Sequence, residues 1–478
     1  MMKRFLPVSV VLFFVASCGL KKDISETAEV RIPEKFIDSL TAQSVSIPSW
    51  KEFFSDQNLI RLIDTALVRN FDLMIAMQRI EAARAGVKRA KGELLPDLNA
   101  NVGAGTRKYA DYTMDGVGNW DTRQSPNLVA NPDRMLPDPI PDFYLGLSSS
   151  WEIDIWGKLR NRKRAALARF LATEQGKNLI QTALVADVAL AYYELMLLNR
   201  KVLILEENIL LQQQALEMVR VQKITGDVDQ LAVDFFEAQL LNSQGIELRT
   251  RYAIREVEAR LCILLGQFPQ PITVTPFNGV LPQLQLLSTG VPSDILKRRP
   301  DILQSERELM ASRADLRAAR LAFFPSLNIS GALGWQAFTA SLLLETPGSV
   351  AYQLLGGLTQ PIFNRNALKA QLMQSKAEQK QAYLNYHKTI VGAFTEVYLL
   401  TLQSDFVERA YTLKSRETEL NRNAVTISRE LFVTGKASFL DVITAQRNAL
   451  NADLELIDVQ YERLENRVRL YRSLGGGW

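Results

Sequence analysis

VRVQKITGDVDQLAVDF, residues 219–235, sets a single turn signal between two very long runs of helix formers. Thr225-Gly226-Asp227 supplies the turn, because glycine enters left-handed backbone conformations without steric cost. No proline occurs from Asp142 to Phe268, and the arm Asn161–Ile224 is 64 residues long. At about 1.5 Å per residue that arm spans roughly 96 Å, and the return arm Val228–Leu265 about 57 Å. Helices of ordinary globular domains average about 11–12 residues. The pattern then recurs. No proline follows Pro361, a second arm runs Asn366–Val433, Thr434-Gly435-Lys436 makes the turn, and Ser438–Leu474 returns. Two giant antiparallel helical hairpins, 161–265 and 366–474, are predicted.

Outward from the hairpins the period changes from helical to two. Phe143, Leu145, Leu147, Trp151, Ile153 and Ile155 alternate with Tyr144, Ser148, Ser150, Glu152 and Asp154. Leu98, Ala100, Val102 and Ala104 alternate with Asn99, Asn101, Gly103 and Gly105, and the later runs carry Leu327, Ile329, Leu333, Trp335 and Val350, Tyr352, Leu354, Leu358. Strands are expected at about 97–108, 142–156, 326–338 and 349–363. Runs of this length with one apolar face match transmembrane barrel strands; a half-buried soluble sheet fits the same periodicity. Thr106–Pro141, rich in Gly, Asp, Asn and Pro, reads as a long loop. A helix is expected over Asn58–Leu94, with Leu59, Leu62, Ile63, Ala66 and Leu67 on one face, and a counterpart over Ser293–Phe323.

The two halves are a tandem repeat. Leu95-Pro96-Asp97-Leu98-Asn99 matches Phe324-Pro325-Ser326-Leu327-Asn328 at an offset of 229, within a longer match from Arg84-Ala85 to Arg313-Ala314. Thr225-Gly226 falls on Thr434-Gly435 and Leu265-Gly266 on Leu474-Gly475 at an offset of 209. The unit is helix, strand, strand, long helix, turn, return helix. It occupies 58–268 and again 293–478, with a proline-punctuated connector at 269–292. Short helix and return arm can therefore stack end to end beside the long helix, with the turns far from the strands. Four strands cannot close a barrel, for which about eight is the usual minimum. An open edge is not viable in lipid, so strands that cross a membrane require further copies of the chain.

Residues 1–17 read as a leader: Lys3 and Arg4, an apolar run Phe5–Val15, then Val15-Ala16-Ser17-Cys18. The last four resemble a bacterial lipoprotein box, which implies cleavage before Cys18 and a covalent lipid on its sulfur; a plain secretory signal is the alternative. Residues 18–57 would then form a lipid-anchored arm. The formal charge of +4 falls to +2 without Lys3 and Arg4, and no dense basic patch suggests a nucleic-acid partner. Cys262 lies within Leu261-Cys262-Ile263-Leu264-Leu265 and reads as a small buried hydrophobe. No stretch after the leader approaches about 18–20 consecutive apolar residues, so no transmembrane helix is expected.

Several longer motifs together resemble the TolC-like outer-membrane factor family, in its lipidated branch: Trp50 with Phe54-Ser55-Asp56, Trp151-Glu152-Ile153-Asp154-Ile155-Trp156-Gly157-Lys158-Leu159-Arg160, Arg298-Arg299-Pro300-Asp301-Ile302, Phe323-Phe324-Pro325-Ser326-Leu327, Gly435 with Leu440-Asp441-Val442, Ala445-Gln446-Arg447 and the terminal Leu470–Trp478. The resemblance covers nearly the whole mature chain. It implies a mixed α and β fold in which three copies pool four strands each into an outer-membrane β-barrel. The helices continue the barrel as a hollow periplasmic α-barrel. It further implies a homotrimer in contact with outer-membrane lipids, joined by a periplasmic adaptor protein to an inner-membrane transporter of the resistance-nodulation-division type. The function implied is a passive exit duct for drugs, metals or other small molecules. Type I protein secretion is a sibling use of this architecture, and a lipid-anchored periplasmic coiled-coil scaffold is the rival of a different class.

No enzyme is expected. His387 is the only histidine, with Tyr383 and Tyr386 beside it on a helix, so neither a catalytic triad nor a histidine-based metal site can be assembled. No cofactor is expected beyond the lipid on Cys18. In the resembled family, carboxylates just past the second turn line a narrow periplasmic mouth, and Asp441 matches the first of those positions. The second is Thr444 here, and the first-repeat equivalent is Ala232. Asp229 and Asp234 flank the first turn and could substitute. An ordinary solvated Asp near a helix start is the plainer reading of Asp441. Gly226 and Gly435 are the expected tip turns.

Overall fold

The structure, a computed structural model, describes residues 47–126, 134–282, 284, 298–364 and 366–478; the leader, Cys18 and most of the 18–57 arm lie outside the described residues. The order of elements is α1 (Trp50–Phe53), α2 (Gln57–Arg69), α3 (Phe71–Gly92), β1 (Asn99–Arg107), α4 (Met114–Gln124), β2 (Ile140–Ile153), α5 (Lys158–Thr225), α6 (Gln230–Leu264), α7 (Pro300–Leu321), β3 (Ser326–Ala337), a 3-10 turn (Ala340–Leu342), β4 (Val350–Thr359), α8 (Ala367–Val433) and α9 (Phe439–Ser473).

The long arms α5 and α8 have 68 and 67 residues, and each return arm has 35. At the usual rise α5 is about 100 Å long. A helix of that length needs lateral partners, since propensity alone contributes little. α5 has them: it packs against α6, α7, α3, α9 and α2, whereas α8 packs against α9 and α7. The core lies along α5, where Tyr192, Tyr193, Leu195 and Leu205 are fully buried with Leu261 of α6 and Val468 of α9. Full burial of each such side chain contributes roughly 1.5–3 kcal/mol. The most apolar stretch of α5 is 61% buried inside the protein, which accounts for its composition without a membrane.

Polar contacts fix the register of the second hairpin. Asn466, 2% exposed, donates from Nδ2 to the Leu400 carbonyl at 3.0 Å. Thr418 donates from Oγ1 to the Ala452 carbonyl at 3.1 Å. A buried carbonyl without a partner costs about 1–3 kcal/mol, so these bonds penalise a slipped register. At half-buried positions Glu408 accepts from Arg463 at 2.7 Å and Arg467 at 3.1 Å, and the Arg463 guanidinium lies 4.0 Å from the Tyr411 ring centre.

The tandem repeat is visible in atomic detail at two stacked helix joints. Gly266, at φ +64, follows α6 and lies against the Arg69 carbonyl; Gly475, at φ +91, follows α9 and lies against the Arg298 carbonyl. Asn70 donates from Nδ2 to the Leu264 carbonyl at 3.0 Å, and Arg299 donates to the Ser473 carbonyl at 2.8 Å. Both pairs of positions are related by the offsets of 229 and 209. The second joint is the charged one: Arg299, largely buried, also pairs with Asp301 at 2.8 Å and Glu396 at 2.7 Å.

Three features differ from the sequence reading. The helix expected over Asn58–Leu94 is two helices, broken at Asn70, which is extended (φ −64, ψ 127) and caps Leu73 N with its side chain. The break lets the Asn70 side chain reach across to α6. The loop 106–141 contains α4, started by Thr113, whose hydroxyl accepts from Gly116 N at 3.2 Å. β2 begins at Ile140 and ends at Ile153, and β4 ends at Thr359, two residues before Pro361. Within the connector, Thr275 donates from N to the Tyr192 hydroxyl at 3.0 Å, and Tyr192 donates to Asp56 Oδ2 at 2.6 Å. Burial, with Asp56 beside it, pushes the Tyr192 hydroxyl up to about 12. Cys262 is free and fully buried.

Candidate functional site

The sheet is a four-stranded antiparallel meander in the order β1-β2-β3-β4. Its register separates two faces. Val102, Leu145, Trp335 and Val350 stand opposite one another across the strands, as do Ala100, Leu147, Leu333 and Tyr352. The other face aligns Asn99, Ser148, Ala332 and Gln353, then Asn101, Gly146, Gly334 and Ala351. The apolar face is uncovered within the chain: Val102 and Tyr352 are each 82% exposed and Leu354 77%. The outer edges of β1 and β4 have no strand partner among the described residues. An uncovered apolar face and two unpaired edges are what water penalises and what lipid plus neighbouring strands would satisfy.

Strands pass into helices through bonded turns. Asp154 accepts from Leu159 N at 3.0 Å and Arg160 N at 2.8 Å, capping the start of α5 after Gly157, at φ +87. Trp151 donates from Nε1 to the Leu94 carbonyl at 3.0 Å and Trp156 to the Pro325 carbonyl at 2.8 Å. These indoles tie the two Pro-containing entries to the strands, so the sheet and the helices form one continuous wall.

At the far ends of the hairpins both tips close alike. Gly226 is at φ +83 and Gly435 at φ +71, and Asp227 N and Lys436 N donate back to the Gln222 and Leu431 carbonyls, at 2.9 and 2.8 Å. Thr225 and Thr434 donate their hydroxyls to the Gln222 and Leu431 carbonyls at 2.9 and 3.0 Å. Asp229 caps α6 by accepting from Ala232 N at 3.0 Å. Asp234 is exposed and accepts from Gln230 Nε2 at 2.6 Å. Asp441, exposed, accepts from Ser438 N and Ser438 Oγ, both at 2.8 Å, completing a capping box. The Ser438 hydroxyl, then its amide, holds the Asp441 carboxyl below the ordinary carboxylate range. Thr444 is exposed on the next turn.

Sequence reasoning overlooked that capping box, although Ser438-x-x-Asp441 is its signature. It also overlooked how the tips join. Phe439 lies 6.3 Å from Phe235, ring centre to ring centre, and Ile443 joins the buried cluster of Val233, Phe236, Leu216 and Val219. The second hairpin therefore begins its return on the first hairpin's tip, bringing the Asp441 and Asp229 turns into one region.

His387 is half-buried on α8 with the Tyr383 ring centre 4.3 Å away. Among the described residues no group of three or more His, Cys, Asp or Glu could hold a metal ion.

The model of the family described as outer membrane efflux protein matches residues 62–267 and 291–476. The chain is 29% identical over 485 residues to the cation efflux system protein CusC of Escherichia coli, covering 99% of each. It is 30% identical over 491 residues to the probable efflux pump outer membrane protein TtgC of Pseudomonas putida, covering all of this chain and 96% of that one. A crystal structure of CusC superposes with a TM-score of 0.81 at 26% identity, covering 93% of this chain and 97% of the other. The two matched segments coincide with the two repeats that carry the sheet and the hairpins, and the chain belongs to the outer membrane efflux protein family.

Proposed function

We propose that this protein is the outer-membrane exit duct of a tripartite efflux system, working as a homotrimer. The observation that carries the reading is the sheet, with one polar and one uncovered apolar face and two unpaired edges, running directly into helices about 100 Å long. Three copies would supply twelve strands, enough to close a barrel whose apolar face meets lipid and whose polar face lines water. The hairpins would continue that wall across the periplasm. An adaptor protein and an inner-membrane transporter of the resistance-nodulation-division type complete the system, and the lipid on Cys18 anchors the N-terminal arm. Multiple acyl chains, at about 0.8 kcal/mol per buried CH₂, hold such an arm firmly.

The duct conducts passively and is not an enzyme. Related proteins are named for cation efflux and for solvent efflux, which fits a conduit whose cargo is chosen by the transporter. Asp441, with Asp229, Asp234 and Thr444 nearby, is proposed as the polar lining of the periplasmic mouth, where repeated carboxylates would attract cations. Chemical crosslinking in membranes and single-channel recording in planar bilayers test the reading. Trimers with discrete conductance support it. A crosslinked but non-conducting assembly points to a scaffold instead, and a stable monomer with full strand content overturns it.

A further inference from the structure

The polar face of the sheet is built mostly from Gly, Ala, Ser, Asn and Gln, with Leu355 its large aliphatic side chain and Tyr144 its aromatic one. β1 presents Asn99, Asn101, Gly103 and Gly105 there, and β3 presents Ser330, Ala332 and Gly334. Four strand aromatics, Phe143, Trp151, Trp335 and Tyr352, stand on the opposite face by the same register. Tyr144 is the only aromatic on the polar face among the described strand residues. Its strand neighbours across the sheet are Gly103 and Gln336.

The Tyr144 ring reclines along β2 toward Gly146. Its hydroxyl oxygen lies 2.6 Å from where a Cβ on Gly146 would be, and the Gly334 Cα and Leu333 carbonyl oxygen lie 2.7 Å from it, so the facing backbone alone restricts that position to glycine. Gly146 and Gly334 face each other in register, and both are buried although the neighbouring Ser150 and Gln336 are exposed. The hydroxyl end of the ring thus lies over Gly146. Tyr144 sits four residues from the start of β2, at the end of the sheet remote from the long helices, with Arg107, Asp142 and Glu152 as the charged residues of the same face.

We propose that Tyr144 is a solute-contact residue of the conduit: one ring per copy forms an aromatic collar near the outer end of the lumen, a transient site for aromatic and organic-cation solutes. This rests on the reading of the polar face as the lumen. Leu355 offers apolar contact on the same face, but among the described strand residues there the Tyr144 ring alone offers both apolar contact and cation–π attraction. Tyr144 is half-exposed, between Gly103 on one side and Gln336, which donates to Asp142 Oδ1 at 2.8 Å, on the other. A purely structural role, aromatic cover for Gly146, involves no contact with solute, so a solute-dependent readout separates the two.

The test uses the full-length trimer in planar bilayers, with benzyltrimethylammonium added on the outer side. Wild type and Tyr144→Phe are expected to show voltage-dependent block of equal affinity, and Tyr144→Leu block weaker by about fivefold or more. Trp335→Leu, on the opposite face, is expected to leave block unchanged. Equal block in wild type and Tyr144→Leu, or none in wild type, overturns the collar. A second measurement distinguishes this from failure of the lumen reading. Tyr144→Cys should react with a membrane-impermeant methanethiosulfonate from outside while Leu145→Cys does not. The reverse pattern refutes the face assignment itself; reaction at Tyr144→Cys with unaltered block in Tyr144→Leu refutes only the collar.

Discussion

Replacing glycine by alanine at two chemically similar turns should have very different consequences. Gly226 and Gly266 both adopt left-handed backbone, at φ +83 and +64. A Cβ added at Gly226 meets nothing within 4 Å, whereas one at Gly266 would run into the Arg69 carbonyl oxygen and carbon. Gly226→Ala therefore carries only the left-handed penalty of an L-residue, about 1 kcal/mol. Gly266→Ala carries that penalty plus the displacement of backbone at a packed joint, about 1–3 kcal/mol more. The obstacle is main chain held by the α2–α3 break, so no rotamer change relieves it. Hydrogen exchange on the detergent-solubilised oligomer reads both sites locally. Exchange around residues 262–272 should accelerate by roughly thirtyfold or more in Gly266→Ala, and around 222–230 by about fivefold in Gly226→Ala, at about 1.4 kcal/mol per factor of ten. By repeat symmetry Gly475→Ala should follow Gly266→Ala, because its Cβ would lie 2.9 Å from the Arg298 carbonyl oxygen. Equal acceleration in the Gly226 and Gly266 variants would show that the stacked joint contributes nothing and would sink the argument.

Two further outcomes are expected. The capping box at the second tip should be insensitive to pH near neutrality: the Asp441 carboxyl is held low by Ser438, so its contribution is complete above about pH 4 and is lost as pH falls through the lower folded value. Exchange-protection at Ser438–Asp441 tracks this, and Asp441→Ala should remove the pH dependence while weakening trivalent-cation block from the periplasmic side, more so with Asp229→Ala; unchanged block affinity would remove Asp441 from the mouth. Cys18→Ala should abolish incorporation of labelled fatty acid into the mature protein while leaving trimers intact, and persistent labelling would place the lipid elsewhere.

The amino-acid sequence by itself determined whatever is periodic or strictly local. Gly226 and Gly435 end α5 and α8 because a left-handed residue between helix-forming runs has few alternatives, and the alternation from Leu98 and from Phe143 places side chains on faces that the register reproduces. The offsets of 229 and 209 likewise announced the repeat. The Ser438–Asp441 box was equally local and could have been read from its spacing. The break at Asn70 combines both: its cap on Leu73 N is local, but its bond to the Leu264 carbonyl, nearly two hundred residues away, belongs to the tertiary structure. Tertiary structure alone decided which long helix is central. α5 and α8 look alike as sequence, yet α5 packs against five helices and α8 against two, and the buried side chains are far more numerous on α5. The meeting of Phe235 with Phe439, and the single aromatic ring over Gly146, belong to the same class. Such contacts join segments whose separation carries no period, so their free energy depends on packing geometry that exists only once the chain has folded.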